Sequence, residues 1–132
     1  MKYRTIILDR DGVINEVRKK YVRKVQQLTF IPGSIYAIKK LLRNNKNLVI
    51  ASNQAGVGKG LIGEDDLLKI NSTINKAVNC ELEYLYCKHK KEDRCNCRKP
   101  QPGLLNIVKK KYPGPYVFVG DNISDLAAAK SA

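Results

Sequence analysis

In "IILDRDGVIN", residues 6 to 15, two aspartates, Asp9 and Asp11, stand one residue apart directly after an apolar run. A carboxylate can attack phosphorus to form an aspartyl-phosphate, and a carboxyl beside it can carry the proton that the leaving group needs. A third aspartate, Asp121 in "VGDN", follows a later apolar run. Three carboxylates brought close together repel one another unless a cation sits among them, and an all-oxygen site favours a hard ion such as Mg²⁺. A single aspartate after a strand is more often a turn or a helix cap. The chemical reading therefore depends on these groups meeting in one place.

A different donor set lies in "CKHKKEDRCNC": Cys87-x-His89, five residues, then Cys95-x-Cys97. Three thiolates and an imidazole suit a closed tetrahedral Zn²⁺ site with a structural role, since four protein ligands leave no open position for catalysis. The alternatives are a disulfide, which a reducing cytosol disfavours, and free buried cysteines, which clustering in a charged loop opposes. The one histidine of the chain falls inside the cluster. Cys80 lies outside it and reads as a small core or surface residue.

The elements that must position these groups follow from hydrophobic periodicity. Short apolar runs bounded by Gly, Pro, Asn or Asp predict strands over 3–8, 48–52, 82–87 and 116–119. Ile35, Ile38, Leu41 and Leu42 share a helical face after "PGS". Leu67, Ile70, Ile74 and Val78 share another after "GEDD", whose acidic residues suit the positive end of a helix dipole. A third helix is predicted over 104–110, stopped by Pro113 and Gly114, and a fourth starts near Ser124. This alternation implies an α/β fold: a Rossmann-like parallel sheet with helices on both faces, binding ligands outside the carboxyl ends of its strands. On that frame Asp9 and Asp11, Ser52, Cys87 and Asp121 all come to the same edge.

The 132 residues, 43% apolar, suffice for one core and a single domain over 1–132. No segment reads as a signal peptide or a bilayer span, so the expected location is the cytoplasm. The net charge of +13 attracts anions such as nucleic acid, acidic membrane surfaces or phosphorylated small molecules. Part of it, in "KHKKEDR" and "VKKKY", reads as solvated loop and helix faces. Nucleic acid is disfavoured because no aromatic series accompanies the basic residues. In "AGVGKGLIG", Gly58, Gly60 and Gly63 fit G-x-G-x-x-G, but Gly60 follows Lys59 where a phosphate loop needs Ser or Thr, and the stretch follows the second strand rather than the first. It is expected to be a flexible loop beside the catalytic edge.

"DRDGVIN" resembles the D-x-D-G-x nucleophile motif of the haloacid dehalogenase superfamily of phosphotransferases, "ASNQ" its second motif, "RKP" its lysine motif and "VGDNISD" its acidic motif. More narrowly, "SNQAGVGKG" and "CKHKKEDRCNCRKPQPG" are similar to the D-glycero-D-manno-heptose 1,7-bisphosphate phosphatases and the related histidinol-phosphate phosphatases, from about Tyr3 to the chain end. The resemblance implies a capless haloacid dehalogenase-like fold carrying a zinc-binding loop. It makes Asp9 the nucleophile and Asp11 the general acid and base. Ser52 and Lys99 would hold and neutralise the transferring phosphoryl group. Mg²⁺ would be bound by Asp9, the main-chain carbonyl of Asp11, and Asp121. Asn53 and Arg98 become substrate contacts, Arg98 suited to a second phosphate, while Asp125 either meets the metal's waters or, near the start of the last helix, caps it or faces solvent.

The implied reaction removes the C7 phosphate of heptose 1,7-bisphosphate, supplying heptose for bacterial surface polysaccharide such as lipopolysaccharide. The alternatives are a histidinol-phosphate phosphatase, a polynucleotide 3′-phosphatase and a non-catalytic zinc-stabilised binding module. Three positions depart from the family pattern. Asn122 stands where many relatives have lysine, Lys88 replaces the proline of Cys-Pro-His, and relatives continue past "AAAKSA" for another strand and helix. The last departure implies that the C-terminal part of the usual fold is missing, exposing a sheet edge at which an otherwise monomeric chain would weakly self-associate. Without a cap, specificity would rest on loops such as "RKKYVRKVQQ", around a phosphorylated small molecule.

Overall fold

The protein is described by a computed structural model covering residues 2–132. Strands β1 (Thr5–Leu8), β2 (Asn47–Asn53), β3 (Glu83–Cys87) and β4 (Tyr116–Val119) pair in parallel in the order β3-β2-β1-β4. Successive side chains of a strand point to opposite faces, so an unbroken apolar run needs cover on both sides. Ile6, Leu8, Leu48 and Ile50 pack on one face with α1 (Ser34–Arg43) and α3 (Glu64–Val78), through Ile38, Ile70, Ile74 and Val78. Ile7, Val49, Ala51 and Cys87 pack on the other with α4 (Gly103–Lys111) and α5 (Ile123–Ser131), through Leu104, Leu105, Val108 and Ala128. The two-faced α/β architecture expected from the periodicity is the one observed.

Strand β4 has the expected bounds, β1 starts two residues late, β2 is one residue longer at each end, and β3 starts one residue late. Part of the glycine stretch, expected to be a flexible loop, instead forms a short helix, α2 (Ala55–Gly58), with Ala55 and Gly56 buried. The close packing of Gly56 explains it: a β-carbon there would crowd the side chain of Ile62. Short 3₁₀ turns at Val25–Gln27 and Lys91–Asp93 are not legible as periodic patterns.

From β1 the chain moves outward to β2 and β3, then returns to place β4 on the opposite side of β1. The order reverses between β1 and β4, and an open α/β sheet leaves its ligand crevice at such a point. Pairing of Leu8 with both Ile50 and Val119 brings the exits of β1, β2 and β4 side by side. The outer edge of β4 has no partner strand among the described residues. An apolar groove of about 370 Å³, walled by Tyr3, Leu41 and Val117, lies near it. Among the described residues no helix is long and apolar enough to cross a membrane.

Candidate active site

A cleft of about 800 Å³ opens above the strand ends, and Asp9, Asp11, Ser52, Asn53, Arg98, Lys99 and Asp121 all line it. Asp9 follows β1 directly and is 8% exposed. Its Oδ1 accepts the Arg10 backbone N–H at 2.8 Å and lies 3.3 Å from Lys99 Nζ. Burial pushes its carboxyl up to about 6, opposed by the Lys99 charge and reinforced by that of Asp125. Ser52, at the end of β2, is buried beside it, its hydroxyl accepting from Gln54 Nε2 at 3.1 Å.

Lys99 is 3% exposed, and its ammonium donates to the Ala51 carbonyl at 3.1 Å and to Asp125 Oδ1 at 2.5 Å. A buried cation needs such partners, since desolvation is costly when unpaired. Asn53 grips the Lys99 backbone from both sides. Its Nδ2 donates to the Lys99 carbonyl at 3.0 Å, and its Oδ1 accepts the Lys99 N–H at 2.9 Å. Expected as a substrate contact, Asn53 lines the cleft with its amide engaged in holding Lys99. Asp125 Oδ2 accepts the N–H groups of Asp121 and Asn122, capping α5, while Oδ1 binds Lys99. Of the readings of Asp125, the cap is the one its hydrogen bonds display.

Carboxylate oxygens of Asp9, Asp121 and Asp125 lie within 4.8 Å of one another. Mg²⁺ bonds of about 2.1 Å in an octahedron separate adjacent oxygens by about 3 Å and opposite ones by about 4.2 Å, so the spacing and the hard-oxygen chemistry fit that ion. With both Asp125 oxygens engaged, Asp9 and Asp121 are the carboxylates available to it. Asp11 points elsewhere: its Oδ1 accepts from Arg10 Nε at 3.1 Å and Asn15 Nδ2 at 2.9 Å, and its Oδ2 from Gln54 Nε2 at 3.3 Å.

Cys87, at the end of β3, meets His89, Cys95 and Cys97 in one cluster. Its Sγ lies 3.5 Å from both His89 Nδ1 and Cys95 Sγ, and Cys97 Sγ lies 3.3 Å from His89 Nδ1 and 3.6 Å from Cys95 Sγ. Zinc–sulfur bonds of about 2.3 Å give a tetrahedron with edges of about 3.7 Å, so the donor set fits Zn²⁺ in number, chemistry and span. Burial pushes the Cys87 thiol up to about 12. Cys95 is held down to about 6: burial acts upward, but the Arg98 backbone N–H and the neighbouring thiols outweigh it.

The loop between these ligands faces the cleft. Lys91 and Arg94, in the segment read from sequence as a solvated face, line it together with Arg98, whose Nη1 is buried without a partner. The loop "RKKYVRKVQQ", expected to set specificity, contributes no residue to the cleft lining, and Val17, just before it, is the nearest residue in sequence that does. That loop is held at Tyr21, whose hydroxyl accepts from Lys59 Nζ at 2.7 Å. Arg10 and Gln54 join the site without a role expected from sequence, although "DRD" and "SNQ" place them beside the motif residues.

The family model described as polynucleotide kinase 3 phosphatase matches residues 5–131. The D-glycero-beta-D-manno-heptose-1,7-bisphosphate 7-phosphatase of Pasteurella multocida is 35% identical over 143 residues, covering 98% of this chain and 77% of the relative. The D-glycero-alpha-D-manno-heptose-1,7-bisphosphate 7-phosphatase of Campylobacter jejuni is 35% identical over 139 residues, covering 100% of this chain and 79% of the relative. The crystal structure of D,D-heptose 1,7-bisphosphate phosphatase from B. bronchiseptica, complexed with magnesium and phosphate, is similar with a TM-score of 0.89 at 34% identity, over 99% of this chain and 76% of that one. Similarity in sequence and in fold thus extends over almost the whole chain, and the chain belongs to the heptose 1,7-bisphosphate phosphatases of the haloacid dehalogenase superfamily, a family of phosphoric monoester hydrolases.

Proposed function

We propose that this protein is a Mg²⁺-dependent phosphatase that removes the C7 phosphate of D-glycero-D-manno-heptose 1,7-bisphosphate through a phospho-enzyme on Asp9. The observation that carries the reading is the meeting of Asp9, Asp121 and Lys99 at the β1/β4 exit, in a cleft lined by further cations. Relatives named for the alpha and for the beta substrate are equally similar at 35% identity. Both anomers share the C7 phosphate.

Asp9 attacks phosphorus, and the sugar oxygen departs with a proton from Asp11. Asp11 then takes a proton from water, whose oxygen attacks the phospho-enzyme, releasing phosphate and restoring Asp9. Lys99 and the Ser52 hydroxyl stabilise the charge on the transferring group, and the nearby dipoles are fixed before the reaction begins. Asp9, Asp121 and the main-chain carbonyl of Asp11 would hold Mg²⁺, which supplies the charge neutralisation that lets an anionic carboxylate approach an anionic phosphate. Arg98, Lys91 and Arg94 offer the remote phosphate its counter-charges. Cys87, His89, Cys95 and Cys97 would hold Zn²⁺, stiffening the loop that leads into Arg98 and Lys99.

The test is phosphate release from heptose 1,7-bisphosphate, histidinol phosphate and a 3′-phosphorylated oligonucleotide, each with and without Mg²⁺, with Asp9→Asn as control. Metal-dependent turnover highest on the bisphosphate and absent in the variant is expected. Preference for either other ester would reassign the substrate, and tight salt-sensitive oligonucleotide binding without turnover would mark a binding module.

A further inference from the structure

Arg10 is completely buried, with 0% of its surface exposed, directly behind the acid that the reaction needs. Its Nε donates to Asp11 Oδ1 at 3.1 Å, Nη2 lies 3.0 Å from the same oxygen and donates to Gln54 Oε1 at 3.3 Å, and Nη1 donates to the Tyr86 hydroxyl at 3.4 Å. The guanidinium also stands over the Tyr86 ring, 5.6 Å from its centroid. Tyr86 in turn donates to Asn71 Oδ1 on α3 at 2.6 Å. Taking a guanidinium out of water is costly, and an apolar residue of similar volume would fill the same space at lower cost. The burial therefore asks for a reason other than packing.

The distribution of donors over Asp11 supplies one. Oδ1 receives Arg10 and Asn15, whereas Oδ2 receives only the longer bond from Gln54 Nε2. The same Gln54 amide donates to the Ser52 hydroxyl, and the Gln54 backbone N–H is tied to the Cys87 carbonyl at 2.7 Å. One frame thus links the Asp11 carboxyl to Ser52 at the end of β2.

We infer that Arg10, together with Gln54, is a positioning residue: it locks Asp11 Oδ1 so that Oδ2 is the oxygen presented to the leaving group. The inference rests on the phosphatase reading above. It assigns Arg10 to the step in which the Oδ2 proton passes to the ester oxygen as the phosphorus–oxygen bond breaks. Disturbing it should hurt esters in proportion to the basicity of their leaving oxygen, because a nitrophenolate departs without a proton and a sugar alkoxide does not.

The experiment compares single-turnover cleavage of heptose 1,7-bisphosphate and p-nitrophenyl phosphate by the Mg²⁺-loaded native protein and by Arg10→Met. The sugar ester should slow by about 100-fold while the aryl ester holds within about three-fold, the span expected when a positioned acid is lost. Equal losses on both esters would show general support of the site and overturn the inference, as would no loss on either. Should Arg10→Met fail to fold, Tyr86→Phe removes the hydroxyl that Arg10 reaches, and a smaller loss confined to the sugar ester is expected. An even loss there overturns the inference too. A native protein that cleaves neither ester removes the phosphatase reading itself, and this inference with it.

Discussion

Gly12 stands so close to Asp121 that a β-carbon at position 12 would overlap the Asp121 carboxylate, Oδ2 first. The backbone there is also in the left-handed region, with φ of +87°, where glycine carries no steric penalty. The glycine after "DRD" therefore makes room for a carboxylate that arrives more than a hundred residues later in the chain. Gly12→Ala is expected to displace Asp121 and lower Mg²⁺-dependent phosphate release by about 100-fold, as misplacement by an ångström can. The half-saturating Mg²⁺ concentration should rise, and circular dichroism should report an intact fold.

Lys99 neutralises two buried carboxylates at once, Asp9 at 3.3 Å and Asp125 at 2.5 Å. Removing the shared cation leaves the buried carboxylate charge uncompensated, which costs about 3–5 kcal/mol. Lys99→Met should accordingly lose both activity and stability, the second measured by urea unfolding at neutral pH. A variant of unchanged stability would contradict the shared pairing.

The raised carboxyl of Asp9, at about 6 against an ordinary 3.8, gives a pH dependence of definite sign. Between those two values the folded protein holds a proton that the unfolded chain has lost, so stability falls as pH rises through this window and stays lower above it. Asp9→Asn, neutral at every pH, should stabilise the protein in Mg²⁺-free buffer at pH 7 by up to about 3 kcal/mol, the equivalent of a shift of this size. The gain should shrink toward pH 4. Thermal unfolding of the two proteins across pH 4 to 8 measures it, and a gain that grows on acidification would be the wrong sign.

Zinc removal should act on the site through the loop rather than through the chemistry. Gly103 packs against the backbone of Asn96 and Cys97, and the Gly103 N–H donates to the Asn96 carbonyl at 3.0 Å, so the end of the cluster is joined to the start of α4. Cys97→Ser is expected to lower bound zinc, read by metal analysis, and to weaken activity by about 10-fold or more through loosened Arg98 and Lys99. Added Mg²⁺ should not restore it.

Much of this site is legible in the amino-acid sequence alone. The strand runs ending at Leu8 and Val119 point to one sheet edge, and the types of Asp9, Asp11, Asp121 and Lys99 point to phosphoryl chemistry there. The glycine stretch misleads because its conformation answers to packing: Gly56 sits against Ile62 and Tyr21, contacts that no glycine count reveals. The charged segment around Lys91 and Arg94 is exposed, as a run of mixed charge suggests, and what the tertiary structure adds is its place on the cleft wall beside the cysteine and histidine cluster.

By itself the sequence determined the periodic elements, the donor chemistry of the two clusters and the order in which the functional groups arrive. Those properties are local, set by side-chain type and by repeats of two or 3.6 residues. Only the tertiary structure decided which oxygen of Asp11 carries fewer hydrogen bonds, that the Asn53 amide holds Lys99, and that Arg10 is buried behind Asp11. Those outcomes depend on partners 44 and 46 residues apart, Arg10 with Gln54 and Asn53 with Lys99. Such pairs meet only when parallel strands settle into register and their exits are packed side by side, which local periodicity does not encode.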